Sequence, residues 1–296
     1  MLDRALLRER LAELVRGRRV GAEPPGRSGE PRAEGVVAAP PVNRGVRETP
    51  VSRGVGVEEF LPGGEWHDRR GAVFVHERLR SSLERPRPSW GTLGAPPENE
   101  VELSALASLG LERALFLDLE TGGLASSPVF LAGTMRWNGT DFVLRQYFAR
   151  HYGEEATLLG ALSEATRGVE FLVTFNGKSY DAPFMLGRAH VHGVPVTLPP
   201  RHLDLLHPAR RRWKRLLRDC RLQTLESHVC RRRRSGDVPS DEVPYLYHDY
   251  VRSGDPYRLV PVFHHNLLDV ITMAEILRAL CSGMGGPARA EGLALG

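Results

Sequence analysis

Ala114-Leu115-Phe116-Leu117-Asp118-Leu119-Glu120-Thr121-Gly122-Gly123-Leu124, residues 114–124, is the stretch that decides the reading of this chain. An apolar run that closes on carboxylates predicts a buried strand over residues 114–120. Strand side chains alternate, so Asp118 and Glu120 share one face while Leu117 and Leu119 enter the core on the other. Two like charges at the end of a buried strand are unfavourable unless a cation or hydrogen-bond donors lie between them. Hard divalent cations such as Mg²⁺ take oxygen ligands of this kind. The Thr121-Gly122-Gly123 turn that follows lets backbone approach a ligand closely. The plain alternative is a strand that ends in solvated acids.

Working outward, strands are expected over 129–137 and 142–148, joined through Asn138-Gly139, a strong hairpin signal. A helix over 154–166, a strand over 170–175, a helix over 180–192 stopped by Gly193 and a short strand over 201–206 follow. Helices over 208–217 and 222–229 precede a long final helix over 264–280. Three leading strands and then alternating helices and strands predict an α/β fold, a mixed sheet flanked by helices, over residues 111–283. Upstream, Phe60, Leu61, Trp66, Val73, Phe74 and Val75 suggest short strands around Pro62-Gly63-Gly64, a small N-terminal flap over 57–110. Residues 17–56 hold eight Gly and six Pro and no aromatic residue. They cannot bury enough apolar surface to offset their ordering entropy and read as a disordered linker. Leu2, Leu6, Leu7, Leu11, Leu14 and Val15 give residues 1–16 the period of an amphipathic helix, and 284–296 reads as a flexible tail.

Two further segments carry chemistry-bearing residues. In Thr174-Phe175-Asn176-Gly177-Lys178-Ser179-Tyr180-Asp181 a strand runs into a glycine turn and then a helix. Asp181 falls in the first helical turn, where the dipole favours a carboxylate with or without a ligand. Asn176 and Lys178 sit on the loop, where they can meet a phosphate. In His264-His265-Asn266-Leu267-Leu268-Asp269, residues four apart share a helix face. His265 therefore sits over Asp269, while His264 can approach it only from the helix start or the preceding loop. A carboxylate one turn from an imidazole supports metal binding beside a general base, or an inert capping pair.

The chain has 296 residues, 41% hydrophobic and 26% charged, which excludes a wholly disordered protein. No apolar run approaches the ~20 residues of a membrane span, and charges interrupt the first nineteen residues, as no secretory leader would. Three cysteines (Cys220, Cys230 and Cys281) are too few for a disulfide framework and suit reduced thiols in the cytoplasm. Net charge is only +4, yet residues 201–234 carry twelve Lys/Arg against three Asp/Glu. This local block suggests a polyanionic partner, or else a solvated face. Trp213 within it stacks a base or packs in the domain. Asp204 lies behind a metal site or caps the next helix.

The motifs at 118–120, 175–181 and 265–269 together resemble the DEDD superfamily of metal-dependent 3′–5′ exonucleases. With Leu203-Asp204-Leu205-Leu206-His207-Pro208 and Leu61-Pro62-Gly63-Gly64-Glu65, they resemble in particular the YprB-type ribonuclease H-like domain, over about residues 57–281. The resemblance implies a ribonuclease H-like fold and a nuclease, a 3′–5′ exonuclease, that hydrolyses phosphodiester bonds of DNA or RNA. Asp118, Glu120, Asp181 and Asp269 would hold two Mg²⁺ or Mn²⁺ ions, and His265 would orient or deprotonate the attacking water. Thr121, Gly122, Asn176 and Lys178 would position the strand. Arg210, Arg211, Lys214 and Arg215, with Arg231–Arg234, would contact phosphates without sequence readout. The rival reading is a nucleic-acid-binding or adaptor module with a vestigial site. Under either, residues 1–16 offer a tether to a protein partner.

Overall fold

The computed structural model describes residues 56–83, 90, 93–123, 126–234 and 236–282. The expected helix over 1–16, the linker save Gly56, and the tail over 284–296 lie outside the described residues.

Seven strands form one sheet: β1 (Gly64–Asp68), β2 (Gly71–Leu79), β3 (Ala114–Thr121), β4 (Val129–Trp137), β5 (Phe142–Phe148), β6 (Phe171–Thr174) and β7 (Arg201–Asp204). Their order is β1-β2-β5-β4-β3-β6-β7. The first five pair antiparallel, and β6 and β7 continue the sheet parallel to β3. The β4–β5 hairpin forms at Asn138-Gly139 as expected. Asn138 Oδ1 accepts the backbone N–H of Thr140 (2.9 Å) and of Asp141 (2.8 Å), and Gly139 takes φ 99°, where a side chain would be strained.

Among the described residues the helices are α1 (Val101–Leu109), α2 (Glu155–Ala165), α3 (Asp181–Val191), α4 (Leu206–Trp213), α5 (Leu222–His228), α6 (Val243–Ser253) and α7 (Val260–Cys281). They cover both sheet faces. Leu117 packs with Leu158 and Leu162 of α2 and Met185 of α3. Phe116, one residue earlier, packs on the opposite face with Val173, Leu203 and the Val270–Ile271–Ala274 side of α7. The strand alternation that buries these two residues on opposite faces also sends Asp118 and Glu120 toward α7. No described helix is long and apolar enough to cross a membrane.

Several boundaries differ from expectation. The two strands of residues 57–110 extend the main sheet, with β2 paired to β5 from Phe74↔Phe148 to Leu79↔Val143. Their connecting turn is Arg69-Arg70, held by the Arg70 N–H donating to Asp68 Oδ1 (2.8 Å), whereas Pro62-Gly63-Gly64 leads into β1. β7 stops at Asp204 because its carboxylate accepts the Leu206 N–H (3.0 Å) and opens α4 there. α7 starts at Val260, ahead of the expected 264, since Pro261 in its first turn has no amide hydrogen to lose and a φ suited to the helix. Helices α1 and α6 were not expected at all.

Candidate active site

β3 pairs with β6 only as far as Phe116↔Val173. Beyond that point the two strands are no longer paired, and their carboxyl ends are the usual place for a ligand in a parallel arrangement. The Leu119 N–H, with no β6 carbonyl opposite it, donates instead to Asp181 Oδ1 at 3.0 Å. Asp181 is the first residue of α3, so one hydrogen bond sets the second acidic motif beside the first. From the other side comes α7. Asn266 Nδ2 donates to Asp118 Oδ2 at 2.9 Å and to the Asp118 carbonyl at 3.2 Å. Asn266 Oδ1 in turn accepts from Gln146 Nε2 at 3.0 Å, and Gln146 Nε2 also reaches the Phe263 carbonyl at 2.7 Å. One turn along α7, His265 Nε2 lies 3.4 Å from Asp269 Oδ2.

The four acids act on one another electrostatically. Burial, then the charges of Asp269, Glu120 and Asp181, hold the Asp118 carboxyl well above its usual range, opposed by the Asn266 hydrogen bond. Burial, with the charges of Asp269 and Asp181, pushes Glu120 up to about 8 against the opposing pull of His265. Burial likewise raises Asp181 to about 7, opposed by the Leu119 N–H. Asp118, Glu120 and Asp181 are half-buried residues. Among the described residues no Lys or Arg forms an ion pair with Asp118, Glu120 or Asp181.

Asp269 is different, and the residues responsible come from a segment that the sequence reading took for surface. Arg234 hydrogen-bonds Asp269 Oδ1 and Glu226 Oε2, and its Nη1 donates to Asp237 Oδ2 at 3.2 Å. Arg232 Nη2 reaches Glu275 at 3.0 Å. The expectation that Arg231–Arg234 all face phosphate is therefore corrected for Arg232 and Arg234. Buried carboxylates on α5 and α7 draw these two guanidinium groups inward, because an unpaired buried acid would cost more than ordering an arginine. Asp237 Oδ1 accepts from His265 Nδ1 at 2.8 Å. Burial lowers the His265 imidazole, yet the Asp237 hydrogen bond and the charges of Asp269 and Glu120 raise it overall to about 9. His264 is buried too, and among the described residues its ring nitrogens have no hydrogen-bond partner. Burial lowers it to about 4.

An oxygen-only set of mutually repelling carboxylates suits a hard divalent cation in charge and donor type. Among the described residues, though, no three His, Cys, Asp or Glu side chains close on one point. Asp118, Asp181 and Asp269 each have an oxygen engaged by Asn266, Leu119 and Arg234 respectively. The donor set fits a cation; Arg234 is a competitor for one of its members.

The residues expected to meet nucleic acid fall into three groups. Thr121 Oγ1 donates to the Gly123 carbonyl (3.2 Å), and the Gly122 carbonyl accepts from His248 Nε2 of α6 (2.8 Å), so a helix absent from the sequence reading fixes the turn after Glu120. Asn176, at φ 65°, and Lys178 give their backbone N–H groups to the two oxygens of Asp204 at 2.7 and 3.1 Å. Asp204 thus holds this loop and also accepts the Leu206 N–H ahead of α4, while Lys178's side chain is exposed. On α4 and just past it, Arg210, Lys214 and Arg215 are exposed, Arg211 is bound to Glu100 (2.6 and 2.5 Å), and Trp213 is fully buried and packs rather than stacks. Arg212 Nη1 reaches the Leu280 carbonyl at 3.2 Å. Leu280 lies eleven residues beyond Asp269 on α7, so this end of α4 stands roughly 16 Å along that helix from the acids.

Asn266, Gln146, Gly133 and Asp237 had no role in the sequence reading, and Arg234 had a different one. Gly133 had a signal, a glycine inside an otherwise apolar strand, which marks a close approach. It pairs with Asp118 across β3–β4, and a Cβ there would overlap the Asn266 amide. Gly133→Ala is expected to cost about 1–3 kcal/mol in urea unfolding, the scale of overpacking, and to release Asp118 from its amide. Wild-type stability in that variant would mean that α7 does not press on the sheet at this point.

The family described as the RNase_H superfamily has a model that matches residues 115–281. The chain is 34% identical over 167 residues to the uncharacterized protein YprB of Bacillus subtilis (strain 168), over 54% of this chain and 40% of that protein. It therefore spans well under half the length of that relative. Among solved structures, it is similar to the family B DNA polymerase from the hyperthermophilic archaeon Pyrobaculum calidifontis. The TM-score is 0.46 and the identity 17%, over 56% of this chain and 24% of the polymerase chain.

Proposed function

This chain belongs to the RNase_H superfamily, and on that premise we propose that it is a metal-dependent nuclease, specifically a 3′–5′ exonuclease, hydrolysing phosphodiester bonds of DNA or RNA. The observation that supports the reading is the mutual electrostatic influence of Asp118, Glu120 and Asp181, buried at the carboxyl end of β3 and the start of α3, beside the His265–Asp269 pair of α7. Charges so arranged destabilise the fold on their own, and a bound cation offsets that cost. Asp118, Glu120, Asp181 and Asp269 would hold two Mg²⁺ or Mn²⁺ ions, which supply Lewis-acid stabilisation of charge on the phosphate. His265 would take the proton of the attacking water at Nε2, the ring nitrogen turned toward Asp269, once the charge of the bound cations had lowered the imidazole from the value of about 9 that it has without them. Asn266 holds the Asp118 carboxylate in one rotamer. The Thr121-Gly122 turn, Asn176 and Lys178 line the strand's path. A reducing, cytoplasmic compartment suits the three thiols.

Incubating the purified protein with end-labelled single-stranded and duplex DNA and RNA, with Mn²⁺, Mg²⁺ or EDTA, tests this. A metal-dependent ladder supports the exonuclease; discrete internal products would make it an endonuclease. Arg234 on Asp269 favours a second reading, a binding or adaptor module, for which every lane would show retention without cleavage.

Affinity would come from backbone phosphates. Reversing the charge of Arg210, Lys214 and Arg215 together is expected to weaken binding about equally across sequences and to flatten the salt dependence by about one unit per lost contact. Unchanged affinity at low salt would leave this face merely solvated. Arg211 is left out because its reversal would also break the Glu100 pair.

A further inference from the structure

The segment between α5 and α6 carries a carboxylate that meets the imidazole of His265. Asp237 belongs to none of the three acidic motifs and lies 28 residues from His265 in sequence, yet its Oδ1 accepts the His265 Nδ1–H at 2.8 Å. Its other oxygen accepts from Arg234 Nη1 at 3.2 Å and from Gln223 Nε2 at 3.1 Å. Three donors from three elements thus fix the carboxylate: α5, the arginine segment and α7. Its side chain is 14% exposed, so little water competes for those bonds. On the far side of the imidazole, Nε2 lies 3.4 Å from Asp269 Oδ2.

We infer that Asp237 is the positioning residue of His265, fixing the ring with its proton on Nδ1 and its Nε2 toward the reacting water. This rests on the nuclease reading above. The physical reason is the asymmetry of imidazole: the partner of one nitrogen decides which tautomer and which ring orientation the other presents. A histidine on a helix can rotate about χ1 and χ2. Spacing along α7 brings His265 over Asp269 but does not choose between its two ring nitrogens; Asp237 makes that choice. Arg234 and Gln223 serve Asp237 in turn by holding its second oxygen, which leaves the first for the histidine alone.

The test is a kinetic cycle on the full chain with Mn²⁺ and labelled single-stranded substrate, joined to NMR of the imidazole proton. Asp237→Asn keeps the shape, but its amide can offer Nδ1 a donor in place of an acceptor. It is expected to lower kcat roughly 10–100-fold, the scale for losing such a partner, with KM unchanged. Asp237→Glu is expected to recover part of that loss, which a failure to fold would not do. In a His265→Ala background, Asp237→Asn should cost nothing more, because the residue acts only through that ring. The slowly exchanging, downfield His265 Nδ1–H resonance should be present in wild type and lost in Asp237→Asn. A normal kcat in Asp237→Asn, a further loss in the double variant, or an Nδ1–H signal that survives the substitution would each overturn the inference. Wild-type protein that cleaves nothing, with the Nδ1–H signal behaving as expected, would overturn the nuclease reading and leave the Asp237–His265 pairing standing.

Discussion

Asp118→Asn is expected to abolish cleavage, by roughly 10³-fold or more, the scale for removing a charge-stabilising group from a reaction centre, and at the same time to stabilise the metal-free protein. The two effects share one cause. Asp118 is held well above its usual range by burial and by Asp269, Glu120 and Asp181, and Glu120 and Asp181 are themselves raised to about 8 and about 7. An acid whose folded pKa lies above its unfolded value binds its proton more tightly in the folded state. The stability these three acids contribute is then greatest at low pH and falls as pH rises from about 4 toward 8, while His76 and His264, both lowered to about 4, act in the opposite sense below about 6.5. His265, raised to about 9, adds to the fall over its upper part, since its proton too is held more tightly in the folded state. Each proton released costs about 1.4 kcal/mol per pH unit. Thermal melts in EDTA at pH 5 and pH 8 should therefore show a large drop for wild type and a smaller one for Asp118→Asn, in which one of the repelling charges is gone. Mn²⁺ at pH 8 should raise the wild-type melting temperature and that of the variant much less. Equal pH dependence for the two proteins would mean that the acids do not repel one another as the geometry requires.

His265→Ala is expected to lower the cleavage rate roughly 10²–10⁴-fold, the usual scale for a lost general base, and to leave metal-dependent nucleic-acid binding largely intact because the carboxylates remain. His264→Ala should do the reverse. α7 begins at Val260, so His264 lies within the helix and cannot swing in from a loop. Its ring is 3% exposed and neutral at physiological pH, with a pKa of about 4. Truncating it opens a buried cavity, which should appear as lost stability rather than lost rate. Rates of both single variants, set beside their urea midpoints, decide the matter. A near-normal rate for His265→Ala with a large loss for His264→Ala would reverse the assignment. Small losses in both would mean that neither imidazole accepts the proton.

Local rules account for what could be read early. Residues 114–120 were legible because an alternating strand fixes side-chain direction within a few residues, and Asp118 and Glu120 lie on the face that the alternation assigns them. Helix period alone put His265 over Asp269. α6 was legible in principle and was not foreseen: Val243, Leu246, Tyr247, Tyr250 and Val251 recur at helical spacing and pack in one cluster, behind Pro244 in the first turn. The turn after Glu120 therefore gained its tie to His248 unforeseen. The arginine run misled for a different reason. Four consecutive cations look like a solvated, polyanion-binding surface, and nothing in residues 231–234 reveals that Glu226, Glu275 and Asp269 wait behind two of them.

By itself, then, the sequence determined the α/β class, the strand that ends in Asp118 and Glu120, and the pairing of His265 with Asp269, because each depends on neighbours within one strand or one helical turn. Only the tertiary structure decided that Asp181 would cap the open Leu119 amide, that Asn266 would reach Asp118 over Gly133, that Arg234 would sit on Asp269 and that Asp237 would hold His265. Those contacts join residues 28 to 148 positions apart. They follow from where the pairing of β3 with β6 ends, how closely α7 lies on β4, and which buried carboxylates require a cation, and none of these is a property of any short stretch of chain.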